Sequence, residues 1–233
     1  MQTSLFLGEF LGTLLVILLG TGVVANVLLN QAKGNQGGWI VITAGWAFAV
    51  MVGVFVSQKM GSQAAHLNPI VTLAFAIIDQ NWDHVGTYWL AQFLGAFSGA
   101  VLCWLTYLPH WKATDDPGAK GGVFFTTPAI PHPAGNLIAE IIGTFVLILG
   151  VASLYDVEGS GVKPYLVGML VWAIGLSLGG PTGYAINPFR DLGPRLAHQL
   201  LPIPGKGDSG WSYAWVPVVG PIIGSLLAAF LLA

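Results

Sequence analysis

Two asparagines, Asn68 in AHLNPIVT and Asn187 in YAINPFRD, each stand directly before a proline in a chain otherwise poor in polar side chains. The chemistry open to them is donation without reaction. Asparagine at the helix cap with proline at the first helical position is a strong helix-start signature. The side-chain carbonyls of Asn68 and Asn187 then cap the helices opened by Pro69 and Pro188, and each amide NH2 is left as a pure donor. The second copy also carries Arg190 and Asp191. Charge at such a place is functional by default and is expected to face an aqueous path. One Asn-Pro pair alone is an ordinary turn; two carry weight only if the chain places them equivalently.

The elements that must position them are membrane spans. Charged residues make up 8% of the chain, against about 25% in a soluble domain. Hydrophobic residues reach 55% and the mean hydropathy is +0.74. A chain of this kind cannot cover itself with a wettable surface. Six apolar stretches are long enough to matter: about Leu5–Leu29, Ile40–Ser57, Gly86–Leu108, Leu137–Leu154, Tyr165–Leu178 and Trp211–Ala233. About 20 helical residues cross a bilayer core; the fifth stretch is short and is expected to extend through neighbouring Gly and Ser. The first is too long for a signal-peptide core and reads as a retained span. PIVTLAFAII and PFRDLGPRLAHQLL are each too short to cross, and read as half-helices beginning at Asn68 and Asn187.

The chain also repeats itself. GEFLGTLLVILLG resembles AEIIGTFVLILG, so that Glu9, Gly12 and Thr13 match Glu140, Gly143 and Thr144. Each half then continues with a second span, an Asn-Pro half-helix and a third span. Three spans per half is odd, so the second half enters from the opposite side. The expected fold is all-α and integral to the membrane: six transmembrane helices and two re-entrant half-helices in an inverted 3+3 repeat. It forms one channel domain over 1–233, with repeats at about 1–108 and 136–233 and a joining loop at 109–135. Paired broken segments at matching places point to the conducting or binding path.

The two boxes, HLNP with Thr72 and NP.RD.GPR, set in one six-span repeat, resemble those of the major intrinsic proteins, the aquaporins and aquaglyceroporins. The likeness runs from Glu9 to the last span. The third box residue, commonly Ala in that family, is Ile70 in one box and Phe189 in the other. Asp191, Arg195 and the Pro221-Ile222 pair resemble glycerol facilitators more than water channels. The resemblance maps an outer selectivity filter onto Trp46, Gly175, Tyr184 and Arg190. Water-selective members place a histidine where Gly175 stands, so the passage is expected to be open there. It also implies a homotetramer in the cell membrane, a loop 109–135 outside, and both termini in the cytoplasm. The lysines vote the other way: Lys33, Lys112, Lys120 and Lys206 would lie outside, against Lys59 and Lys163 inside.

The expected function is therefore passive conduction of glycerol, water and other small uncharged solutes, with dihydroxyacetone, urea and undissociated lactic acid among the candidates. Ions and protons are excluded by the half-helix termini, each equivalent to about +0.5 charge. Glu9 and Glu140 have two roles open to them, as proton-relay acids or as acceptors for backbone amides near the boxes. His66 has two as well, facing the inner mouth or bracing its loop. Asp191 is expected to brace the loop or pair with Arg195. Tryptophans near span ends, among them Trp104, Trp111, Trp211 and Trp215, suggest an interfacial belt. The remaining histidines lack ligand spacing and Cys103 is alone, so no metal, cofactor or disulfide is expected. A net charge of -2 gives no reason for a nucleic-acid partner. A secondary transporter is the competing reading, with Glu9 and Glu140 as its only coupling acids; an enzyme lacks a nucleophile–base pair.

Overall fold

The computed structural model describes residues 4–154 and 162–233, and these contain helices and no strand. In chain order they are α1 (Leu5–Leu28), α2 (Trp39–Lys59), α3 (Pro69–Ile78), α4 (Val85–Thr106), α5 (Leu108–Ala113), α6 (Pro117–Phe124), α7 (Pro133–Ser153), α8 (Val162–Leu178), α9 (Pro188–Leu200) and α10 (Val216–Leu232). By length and apolar composition α1, α2, α4 and α7 can each cross a membrane. The helices α8 and α10 have 17 residues apiece. At ~1.5 Å per residue that is about 26 Å, the lower edge of what spans the hydrocarbon core.

The six expected spans are α1, α2, α4, α7, α8 and α10, and α3 and α9 are the two half-helices. Local chemistry sets their ends. Ser4 opens α1 by accepting from the Leu7 N–H at 3.1 Å. His132 Nδ1 accepts from the Gly135 N–H at 2.9 Å, with Pro133 following, so α7 begins earlier than hydropathy alone suggests. The polar connection after α4 is not extended loop but holds α5 and α6. The helix α6 starts with the same grammar as the boxes: Asp116 caps, Pro117 follows, and Oδ1 accepts from the Gly118 N–H at 2.7 Å. At its C-terminal end α8 stops at Leu178, before Gly179, and the Gly and Ser preceding Val162 lie outside the described residues.

Packing follows the repeat. Helix α1 lies against α2 and α4 as α7 lies against α8 and α10, and α2 meets α8 between the halves. The half-helices cross over: α3 packs on α10, and α9 on α4. Ser225 of α10 donates to the Ile70 carbonyl at 2.9 Å, one such crossing tie. The third spans approach closely because they carry glycine. A Cβ at Gly95 would be driven into the Phe10 carbonyl oxygen, and one at Gly224 into that of Ile141, the matching residue. Small residues at such crossings let backbones touch where lipid supplies no hydrophobic drive.

Gly95→Ala and Gly224→Ala are each expected to destabilise the protein by about 1–3 kcal/mol, the usual cost of overpacking. Thermal unfolding in detergent measures this. Gly22→Ala is the control, since nothing lies within 4 Å of a Cβ there, and its melting temperature should match or exceed the parent's, alanine being the better helix former.

Candidate functional site

The loop before each half-helix is bent into an unusual shape twice over. Ala65 and Leu67 have φ of 48° and 53°, and Tyr184 and Ile186 have φ of 39° and 41°. These are equivalent residues, each pair standing three and one before its asparagine. Non-glycine residues in the left-handed region cost roughly 1–3 kcal/mol each, so something must hold them. In the first half it is Glu9: Oε1 accepts from the His66 N–H at 2.9 Å and Ser62 Oγ at 2.6 Å. Its Oε2 accepts from the Leu67 N–H and from Gln92 Nε2, both at 2.8 Å. In the second half Glu140 accepts from the Ala185 and Ile186 N–H groups at 2.9 Å and from Thr182 Oγ1 at 2.6 Å. Both carboxylates are fully enclosed by protein.

So bent, the loops present their last carbonyls to each other's asparagine. Asn68 Oδ1 accepts from the Ile70 N–H at 3.2 Å while Nδ2 donates across to the Ile186 carbonyl at 2.9 Å. Asn187 Oδ1 accepts from the Phe189 and Arg190 N–H groups at 3.1 Å, and Nδ2 donates to the Leu67 carbonyl at 3.0 Å. Half of each expected donor is therefore spent inside the protein. An NH2 has two hydrogens, so one N–H of each asparagine remains. Sequence reasoning had both free; the reciprocal bond was invisible to it because it joins residues more than a hundred positions apart.

Both asparagines line a cavity of about 90 Å³. One water needs ~10–15 Å³ of such space, so the cavity holds a short file of waters. Its apolar wall is helical: Trp46, Val50 and Val54 of α2 recur every four residues, facing Val167 and Val171 of α8. The polar wall is Asn68, Asn187 and Arg190, with His66 also lining the cavity. Arg190 stacks on Trp46, its Cζ 4.1 Å from the ring centroid. Its Nη1 is buried without a hydrogen-bond partner among the described residues. Val71 and Arg190, each three residues after its asparagine, are equivalent, and both line the cavity.

A family model described as major intrinsic protein matches residues 2–232. The chain belongs to that family. A probable glycerol uptake facilitator of Thermotoga maritima is 58% identical to it over 98% of this chain and 97% of its own. A glycerol uptake facilitator of Bacillus subtilis is 54% identical over 94% of this chain and 80% of its own. The crystal structure of the aquaglyceroporin from Plasmodium falciparum matches with a TM-score of 0.84 at 31% identity, covering 97% of this chain and 93% of that one.

In this major intrinsic protein the expected opening at Gly175 is occupied. A Cβ there would lie 2.8 Å from Cζ of Tyr184 and 3.1 Å from Thr43 Cγ2. The phenol ring has moved into the space that the glycine leaves, and Tyr184, not Gly175, lines the cavity. Trp39 fixes both, donating from Nε1 to the Gly175 carbonyl at 3.0 Å and meeting the Tyr184 ring edge-on at 5.8 Å. Ile70 and Phe189 do not line the cavity, so the unusual third box residues leave the bore alone. Ile70 is buried, and Phe189 sets its ring edge against Phe93 at 5.5 Å.

His66 is held in its loop by its neighbours and also reaches the cavity. It lines the cavity, while its ring stacks on Tyr88 at 4.5 Å and Nδ1 lies 3.1 Å from Thr72 Oγ1. Asp191 likewise both braces and pairs. Its Oδ1 accepts from Arg195 Nε at 2.7 Å, and Oδ2 accepts from the N–H and hydroxyl of Thr126 at 2.8 Å. Arg195 in turn donates to the carbonyls of Thr126, Ser209 and Gly210. This buried hub sews the loop after α6 and the loop after α9 to the half-helix carrying Arg190. Sequence reasoning missed its other parts. Lys206 Nζ donates to the carbonyls of His198, Gln199 and Leu201, capping the end of α9, and Lys120, 3% exposed, donates to that of Pro204. Two of the lysines that opposed the family topology are thus structural ligands of carbonyls. Trp111 is corrected too: it is buried, donating to the Trp104 carbonyl at 2.9 Å, and is no belt residue. Trp211 and Trp215, both 44% exposed, keep that role open.

Replacing Glu9 by Gln turns one acceptor oxygen into a donor facing donors. A buried group left unmatched costs about 1–3 kcal/mol. Thermal unfolding should show that loss for Glu9→Gln and for Glu140→Gln.

Proposed function

We propose that this major intrinsic protein is a passive channel for glycerol, water and other small uncharged solutes. The observation that carries the reading is the junction of α3 and α9. Two helix starts face one another there, each asparagine keeps one N–H, and the cavity runs past both. Two termini of about +0.5 charge each oppose cations. Two fixed donors compel a passing water to accept from both, so its neighbours on either side cannot relay a proton through it. Arg190 adds donors and no acceptor at the Trp46 end. A polyol then lays its hydroxyls along the asparagine–arginine wall and its carbons along the valines and Trp46. Donors in place of lost water matter, because an unpaired hydroxyl costs roughly 2–7 kcal/mol to dehydrate.

The secondary-transporter reading needs acids beside the solute. Glu9 and Glu140 stand behind the loops with their oxygens committed to donors, and neither lines the cavity. That favours the structural role for both. The names of the facilitators to which the chain is 58% and 54% identical support glycerol as solute. Trp46, Tyr184 and Arg190 are taken as the filter, with Gly175 making room behind it. The setting is the plasma membrane, with both termini cytoplasmic, 109–135 outside, and a homotetramer holding one pore per protomer. Commitment of Lys120 and Lys206 to carbonyls weakens the charge argument against that orientation.

Vesicles containing the protein should admit glycerol rapidly, without saturation and without an ion gradient; rates equal to protein-free vesicles would end the reading. Arg190→Val should broaden selectivity, read as a raised ratio of larger polyol to glycerol flux, and an unchanged ratio would remove Arg190 from the filter. If undissociated lactic acid also passes, lactate entry should rise as pH falls toward the acid's pKa, because the neutral fraction rises. Uptake independent of pH would exclude that solute.

A further inference from the structure

The two half-helices are equivalent from their asparagines onward, yet the space beside them is filled differently. Counted from Asn187 and Asn68, Asp191, Arg195 and His198 of α9 stand where Thr72, Ala76 and Asp79 stand in α3. The three in α9 are wholly buried. The Arg195 guanidinium occupies the space there: it pairs with Asp191 at 2.7 Å, donates to three loop carbonyls, and lies 4.4 Å from the centroid of the Phe125 ring. The three in α3 instead line a second cavity of about 170 Å³, between that half-helix and the start of α4. A methyl group, from Ala76, thus lines the place where the other half plants a guanidinium. The walls repeat what holds Arg195: a carboxylate, from Asp79, and aromatic faces, from His66 stacked between Phe75 at 5.6 Å and Tyr88 at 4.5 Å. Among the described residues no lysine or arginine lines the cavity, and Asp79 makes no ion pair. Asp79 is also the C-cap of α3. A helix C-terminus carries about −0.5 charge and favours cations, so an acid there is misplaced unless a cation joins it. Local rules broken in this way are expected at functional sites.

We propose that this side cavity binds a small organic cation of the guanidinium type, its plane against the aromatic rings and its N–H groups on Asp79. A guanidinium is planar and weakly hydrated, and it can stack on a ring while it pairs with a carboxylate. Among the described residues the site shares only His66 with the conduit, and binding there does not depend on the channel reading. Methylguanidinium chloride is the probe, added to the purified protein in detergent, with sodium chloride at equal concentration as the reference. At ten times its Kd it should raise the melting temperature by about 3–5 °C. Asp79→Asn should abolish that shift. Ala76→Arg, which tethers a guanidinium at the place equivalent to Arg195, should abolish it too. No shift in the unmodified protein would overturn the proposal, as would an equal shift in Asp79→Asn or a full response retained by Ala76→Arg. A larger shift with ethylammonium chloride would also overturn it, since the pocket would then read a point charge and not a plane. If Ala76→Arg does not fold, the comparison with Asp79→Asn decides alone.

Discussion

The buried carboxylates of Glu9 and Glu140 each gather the amides of two consecutive loop residues, and the geometry of the conduit descends from those bonds. Two left-handed residues per loop cost roughly 1–3 kcal/mol each. Hydrogen bonds to a charged group contribute about 1.5–3 kcal/mol each, and each carboxylate accepts three or four. Those bonds oppose the backbone strain and hold each loop in its bent shape. Once bent, Leu67 and Ile186 turn their carbonyls to the opposite asparagine, and the half-helix starts are locked tip to tip. A pore centre that must present donors in register is thus fixed by groups that never touch the solute.

The repeat then explains why one box is charged and its twin is not. The scaffold is nearly two-fold: the carboxylates, the bent loops, the crossing asparagines and the glycine contacts of the third spans all occur twice. The difference lies in two equivalent positions. Where one half has Ala65 and Val71, the other has Tyr184 and Arg190. Those side chains add polar groups to the cavity wall, and Trp46 stacks on Arg190 beside them. Among the described residues the buried Asp191–Arg195 hub exists on that side only, tying down two loops beside the charged residue.

Much of this was legible from residue order because it is written in local grammar. Asn-Pro sets a helix start wherever it occurs, apolar length sets a span, and matched spacing of Glu9 with Glu140 sets the repeat. The same grammar at Asp116-Pro117 would have found α6. What stayed hidden depends on meetings between distant positions. The reciprocal asparagine bonds, the phenol filling the glycine's space and the lysines capping carbonyls have no signature in their own neighbourhoods. Trp111 reads like a belt residue by its place near a span end, yet α5 turns it inward against Phe124 of α6. Short helices in a polar stretch carry too little apolar periodicity to announce themselves.

The exchange of volume between positions 175 and 184 couples the two sites energetically. A side chain at 175 collides with the present ring at 184, and a smaller residue at 184 leaves a gap beside Trp39. Residues in contact that share one space do not contribute independently, so the cost of enlarging 175 depends on what stands at 184.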